Sequence, residues 1–128
     1  MTPDLTLLFC AVALAFIQVL IALLGAMAQV GLPALAGNRE RLPEIVGWAG
    51  RATRAHRNML ENLVLFIGLV LVAHIANRAN GMSLLGEQIF VWARLAYVII
   101  YIAGVPWLRT GAWGVSVAGL VLIALQLR

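Results

Sequence analysis

Two groups of ionisable and phenolic side chains recur at helical spacing in this chain, and both lie beside long apolar runs. The first is Arg54, His56, Arg57, Asn58, Glu61 and Asn62, which leads without a break into the apolar stretch 63–73. The second is Arg94, Tyr97 and Tyr101, spaced i, i+3 and i+7, with Glu87 and Phe90 in the same segment. On an ideal helix, Arg54, Arg57, Asn58, Glu61, Asn62, Leu65, Gly68 and Val72 share an arc of roughly 140°, and Glu87 to Tyr101 share roughly 80°. Charge at membrane depth is costly, so such residues need partners and mark a functional site by default.

The chemistry these types suggest is anion recognition. Arg54, Arg57, Arg94 and Arg109 stand near one end of the chain's helices against Glu61 alone. Unpaired guanidinium groups turned inward leave a pocket suited to an anion. A guanidinium fork engages a planar carboxylate bidentately where an ammonium cannot. All the basic residues are arginine, which a genome-wide codon bias explains equally well. Glu61 is the expected partner of Arg94. A plain reading competes here, in which that pair only locks two helices together while the tyrosines pack around it and Arg54 and Arg109 snorkel to the headgroups. His56 and His74 lie roughly 27 Å apart along one helix, so they share no metal. Cys10 is alone, which rules out an internal disulfide framework.

The elements that must position these groups are membrane spans. The chain has 128 residues, of which 63% are hydrophobic and 11% charged, too few charges to cover a globule of this size. The hydropathy pattern predicts an all-α, integral membrane four-helix bundle. It forms a single domain over 1–128, with spans near 5–32, 53–77, 85–105 and 110–127. Gly31 and Pro33 end the first span, residues 34–53 form a polar connector, Asn77 to Gly81 a frayed exit, and Pro106 to Gly111 a short turn. Four spans put both termini on one side. Arg39, Arg41, Arg51, Arg54, Arg57 and Arg109 gather on the other, so the positive-inside rule makes the first loop cytoplasmic and the termini external. The net charge of +4 is explained by span ends and anionic lipid rather than by nucleic acid.

With both faces placed, the chain resembles the MAPEG family, the membrane-associated proteins of eicosanoid and glutathione metabolism, in its bacterial, microsomal glutathione transferase-like form. The matching residues are Arg54, Ala55, His56, Arg57, Asn58 and Glu61 in span two, Arg94, Tyr97 and Tyr101 in span three, and Arg109 at the start of span four. The resemblance implies a homotrimer in a bacterial inner membrane with glutathione held as cosubstrate between subunits. Arg54, Arg57, Asn58, Glu61, Tyr97 and Tyr101 would bind it, and Arg109 and Arg94 would be catalytic, Arg109 matching the arginine that some members place beside the thiolate. Lipophilic electrophiles or lipid hydroperoxides would be the second substrate, and no metal is needed. Two features depart from the pattern: Gln29 to Pro33 holds no arginine where several members carry one, and Asn62 stands where some members have an aromatic residue. The alternative is a non-enzymatic membrane protein that binds lipid or an anionic metabolite, or scaffolds a partner. A transporter is disfavoured by the lack of an inverted repeat.

Overall fold

A computed structural model describes residues 1–40 and 42–128. Arg41, counted above among the connector's cations, lies outside the described residues. The elements are α1 (Pro3–Val30), α2 (Leu32–Ala36), α3 (Gly47–Ile75), α4 (Gly81–Ala103) and α5 (Pro106–Leu125). All but α2 are long and apolar enough to cross a membrane. Their outer surfaces carry large apolar side chains, with Trp92 at 68% and Phe9 and Phe16 at 62% exposure. That surface suits lipid, since water would penalise each such side chain by roughly 1.5–3 kcal/mol relative to burial.

The junctions differ from the hydropathy reading in ways that backbone chemistry explains. Helix α3 starts at Gly47 rather than near Thr53. Hydropathy registers lipid depth, whereas the helix continues beyond it through Trp48, Ala49 and Ala52. At about 1.5 Å per residue α3 is roughly 43 Å long, well over the ~30 Å hydrocarbon core. Its start is clamped by α1: the Gln29 side chain donates to the Val46 carbonyl at 2.7 Å and accepts from the Val46 N–H at 2.9 Å.

The residues expected to fray after span two form a closed turn instead. Asn77 takes a left-handed φ of 57°, and the Arg78 N–H reaches the Ala73 carbonyl at 2.8 Å, a Schellman ending with Asn in the usual glycine place. Asn80 then caps α4. Its Oδ1 accepts from the N–H groups of Met82 and Ser83 while Ser83 Oγ accepts from the Asn80 N–H, a reciprocal capping box. At the other end of α4, Gly104 turns the chain with φ 88°, and Pro106 sits in the first turn of α5. Proline is pre-set for that position, so the expected Pro106–Gly111 turn is helix from its first residue.

Packing is closest between α4 and α5 and between α1 and α3, and the two pairs meet along α3–α4 and α1–α4. Gly86 and Gly119 make the α4–α5 approach possible: a Cβ on Gly86 would lie 2.7 Å from the Gly119 carbonyl oxygen, inside contact distance. The core gathers Ala11 and Ala15 of α1, Met59, Leu63, Phe66 and Val70 of α3, Phe90 of α4, and Leu120 and Ile123 of α5. Its centre is the stacked pair Phe66–Phe90, with ring centroids 4.2 Å apart and planes 9° from parallel.

Candidate functional site

Helix α4 presents Ser83, Glu87, Phe90, Arg94, Tyr97 and Tyr101 to the interior, each buried, on the 3-and-4 spacing of a core-facing stripe. Toward the Gly104 end this stripe becomes the centre of a cation cluster. The Arg94 guanidinium lies over the Tyr97 ring at 4.2 Å, and that of Arg109 over the Tyr101 ring at 4.4 Å. The two rings meet edge to face at 5.5 Å. Arg54 Nε donates to the Tyr101 hydroxyl at 3.3 Å. Tyr101 therefore joins three helices: α4, which carries it, α3 through Arg54 and α5 through Arg109. Nearby, Arg51 Nε donates to the Ile102 carbonyl at 2.9 Å, which ties the base of α3 to the last turn of α4.

Two open cavities flank this cluster. One, of about 240 Å³, is lined by Asn58, Tyr97, Arg109, Thr110 and Trp113. The other, of about 480 Å³, runs along the start of α3 and the connector, with Arg39, Glu44, Thr53, Arg54 and Arg57 as its polar walls. Arg54 belongs to the second cavity and, through Tyr101, to the cluster beside the first.

The sequence-derived residues therefore divide. Arg54, Arg94, Tyr97, Tyr101 and Arg109 come together, with Asn58 on an adjoining wall and Arg57 one turn along the exposed side of α3. Glu61 lies within electrostatic reach of Tyr97 but bonds to none of them. The expected Arg94–Glu61 bridge is absent, and among the described residues the only contact between a basic and an acidic side chain is His74 Nδ1 with Asp4 Oδ2 at 2.9 Å. The reason is angular. Neighbouring helical residues point about 100° apart, and α3 turns Asn62 inward, which leaves Glu61 on the exposed side with Arg57, Leu65, Gly68 and Val72. The buried Asn62 Nδ2 spends its bonds on the Asn58 carbonyl and side chain, at 2.9 and 3.2 Å.

Arg94 is left wholly buried, with Nε and both terminal nitrogens lacking a hydrogen-bond partner. Glu87 and Gln18 are in the same condition. Sequence reasoning passed over Gln18, although an amide in the middle of the uncharged run of α1 was visible. It also missed Thr110 and Trp113; Trp113 stands four residues after Arg109 and so shares its face. Arg39 and Glu44 lie in irregular chain, where no period could have flagged them.

The MAPEG family model matches residues 6–128. No curated protein and no solved structure matches the chain.

Proposed function

The chain belongs to the MAPEG family, and from that premise we propose that this integral, multi-pass membrane protein uses glutathione as a cosubstrate, transferring it to lipophilic electrophiles or spending it to reduce lipid hydroperoxides. The observation that carries this reading is the tyrosine-centred gathering of Arg54, Arg94 and Arg109 without a single acidic side chain paired to them. Glutathione has two carboxylates, one ammonium and one thiol. Arg54 and Arg57, on the wall of the larger cavity, suit the carboxylates through bidentate contacts. Glu61, exposed on the same side of α3, suits the ammonium. Asn58 and Tyr97, which share a cavity with Arg109, suit the peptide's polar backbone and the sulfur.

Arg109 is the group proposed for the thiol. A free thiol of this kind ionises near pH 8.5, so only a few per cent is thiolate at neutral pH. A guanidinium beside the sulfur favours the charged form and so raises the fraction that is nucleophilic. In transfer, the thiolate forms a carbon–sulfur bond as the leaving group departs with its electron pair. In peroxide reduction, two glutathione molecules become one disulfide while the O–O bond breaks to give an alcohol and water. The exposed ionic face of α3 fits burial against a second copy of the chain, which is the physical support for a homotrimer with its ligand between subunits.

Calorimetric titration of glutathione into the detergent-solubilised protein tests the reading. Binding is expected to be lost in Arg57→Ala and Glu61→Ala while the particle mass stays unchanged. An ultraviolet thiolate band should grow on mixing near neutral pH. Unchanged affinity in both variants, or binding with no thiolate band, overturns the enzymatic reading; the second result favours a binding protein.

A further inference from the structure

The cavity of about 480 Å³ takes two of its charged residues from α3, Arg54 and Arg57, and two from the connector, Arg39 and Glu44. Among the described residues, α1 adds only Ala26 to its lining and α2 only Leu35. Three contacts hold the connector in place. The Gln29 side chain brackets the Val46 backbone at 2.7 and 2.9 Å. The Ile45 carbonyl lies so close to Gly50 that a Cβ there would be 2.4 Å from its oxygen, and 3.4 Å from Arg54 Nη1. Arg39 itself takes a left-handed φ of 63°, and its Nε donates to the Leu35 carbonyl at 2.7 Å. A bulky residue keeps that backbone only where its surroundings fix it, and such residues gather at ligand clamps. The bond engages one of the five guanidinium N–H groups. Both terminal nitrogens keep no partner among the described residues.

Glutathione carries its two carboxylates at opposite ends, and one of those ends also carries the ammonium. Extended, a tripeptide spans roughly 10 Å. Arg57 and Glu61 stand one turn apart on the exposed side of α3, a cation and an anion that together suit the end with both charges. Seven residues, roughly 10.5 Å along the axis, separate Glu61 from Arg54. The second carboxylate therefore falls level with Arg54, beside the connector. The charges agree with this placement. Arg39, Arg54 and Arg57 against Glu44 leave an excess of two positive charges in the cavity wall, matching two carboxylates.

We propose that Arg39 binds the glycine carboxylate of glutathione together with Arg54, at the end of the ligand opposite to its ammonium. The assignment rests on the glutathione reading above and adds a direction to it: the amino end lies toward Glu61 and the carboxyl end toward the connector. A guanidinium fork held through Nε presents its terminal nitrogens to a planar carboxylate bidentately. One side chain from irregular chain then sets the selectivity for a ligand with a free terminal carboxylate. The connector thus supplies the cation that α1 and α2 do not bring to this cavity.

The test titrates the full chain in detergent with glutathione and with its glycine monoethyl ester, in which only that carboxylate is blocked. The unaltered protein should prefer glutathione by more than ten-fold. In Arg39→Gln, glutathione binding should weaken about ten-fold, the scale of one charge-assisted hydrogen bond, while the ester's affinity stays, so the preference shrinks by the same factor. Glu44→Gln leaves Arg39 and its Leu35 bond in place and should tighten glutathione binding about three-fold. No binding of either ligand by the unaltered protein overturns the functional reading and this assignment together. Equal binding of the two ligands by the unaltered protein, full preference kept in Arg39→Gln, or no tightening in Glu44→Gln overturns this assignment alone and leaves the functional reading standing.

Discussion

Tyr101 can be perturbed in two graded steps, and the structure assigns each a different magnitude. Tyr101→Phe removes only the hydroxyl that accepts from Arg54 Nε and leaves the ring beneath Arg109. Hydrogen bonds to charged groups contribute about 1.5–3 kcal/mol and ordinary ones about 0.5–1.5. The Arg54 contact is 3.3 Å long, beyond the usual N–H···O range, and Arg54 is exposed, so a value of about 1 kcal/mol is appropriate. That corresponds to about five-fold in glutathione affinity, with turnover at saturation little changed, because the group affected holds the ligand rather than its sulfur. Tyr101→Leu also removes the ring face. A cation–π contact at a half-buried guanidinium adds about 1 kcal/mol, which brings the loss to roughly 2 kcal/mol, about thirty-fold, and turnover should now fall because Arg109 is no longer held. Steady-state kinetics with a chromogenic lipophilic electrophile separates KM from kcat. If Tyr101→Phe lowers kcat as far as Tyr101→Leu does, the hydroxyl acts in the chemistry itself and the positioning argument is wrong. If neither variant changes either constant, the thiol site lies elsewhere.

Two further substitutions probe the interior. Arg94→Met exchanges a wholly buried cation without a hydrogen-bond partner for an apolar chain of similar length, which removes a desolvation cost of several kcal/mol. The thermal midpoint in detergent should rise while glutathione-dependent turnover is lost; a fall in the midpoint would mean that the Tyr97 stack outweighs desolvation. Gly86→Ala forces a methyl group against the Gly119 carbonyl and should cost about 1–3 kcal/mol in a denaturant titration. Gly111→Ala, whose new Cβ meets nothing within 4 Å, should leave the curve in place.

The sequence made the spans legible through apolar length and the α4 stripe through periodicity. An uninterrupted apolar run must be helical in lipid, and Glu87, Phe90, Arg94, Tyr97 and Tyr101 can share a helix face at only one period. What it could not convey is which way α3 is rotated. Glu61 and Asn62 are adjacent polar residues, and a wheel calculation puts both within one broad polar arc. Packing against α1 and α4 chose Asn62 for the interior, so Glu61 stays on the exposed side of α3, near Tyr97 but unbonded to Arg94. The helix starts were hidden for a different reason. Pro106 and Asn80 are turn residues by composition and cap or first-turn residues by position, and only the chain direction that follows them tells the two apart. The cavity walls from Arg39 and Glu44 belong to irregular chain, where side-chain placement follows from tertiary contacts alone.

The rotation of α3 has an energetic consequence for assembly. Glu61 lies roughly 21 Å from the start of α3, measured along the axis. Even if all of the helix's excess length over the hydrocarbon core projects at the Gly47 end, Glu61 remains about 8 Å inside the core. A charged side chain facing lipid at the centre of a span costs about 2.5–3.5 kcal/mol on insertion scales. Arg57, one turn nearer the surface, reaches the headgroups by snorkelling, but a glutamate side chain is too short to follow. Leu65, Gly68 and Val72 continue the same exposed face with modest bulk, the surface on which a second helix packs closely. Covering that face by another copy removes Glu61 from lipid and sets it opposite whatever cation the neighbour or the ligand brings. This is the physical ground for proposing that the ligand site is completed between chains. It is open to a direct check: Glu61→Gln should weaken glutathione binding yet preserve the assembly, whereas Gly68→Phe should dissociate the assembly and lose binding with it. A particle mass unaltered by Gly68→Phe would place the subunit contact on another face and undo the argument.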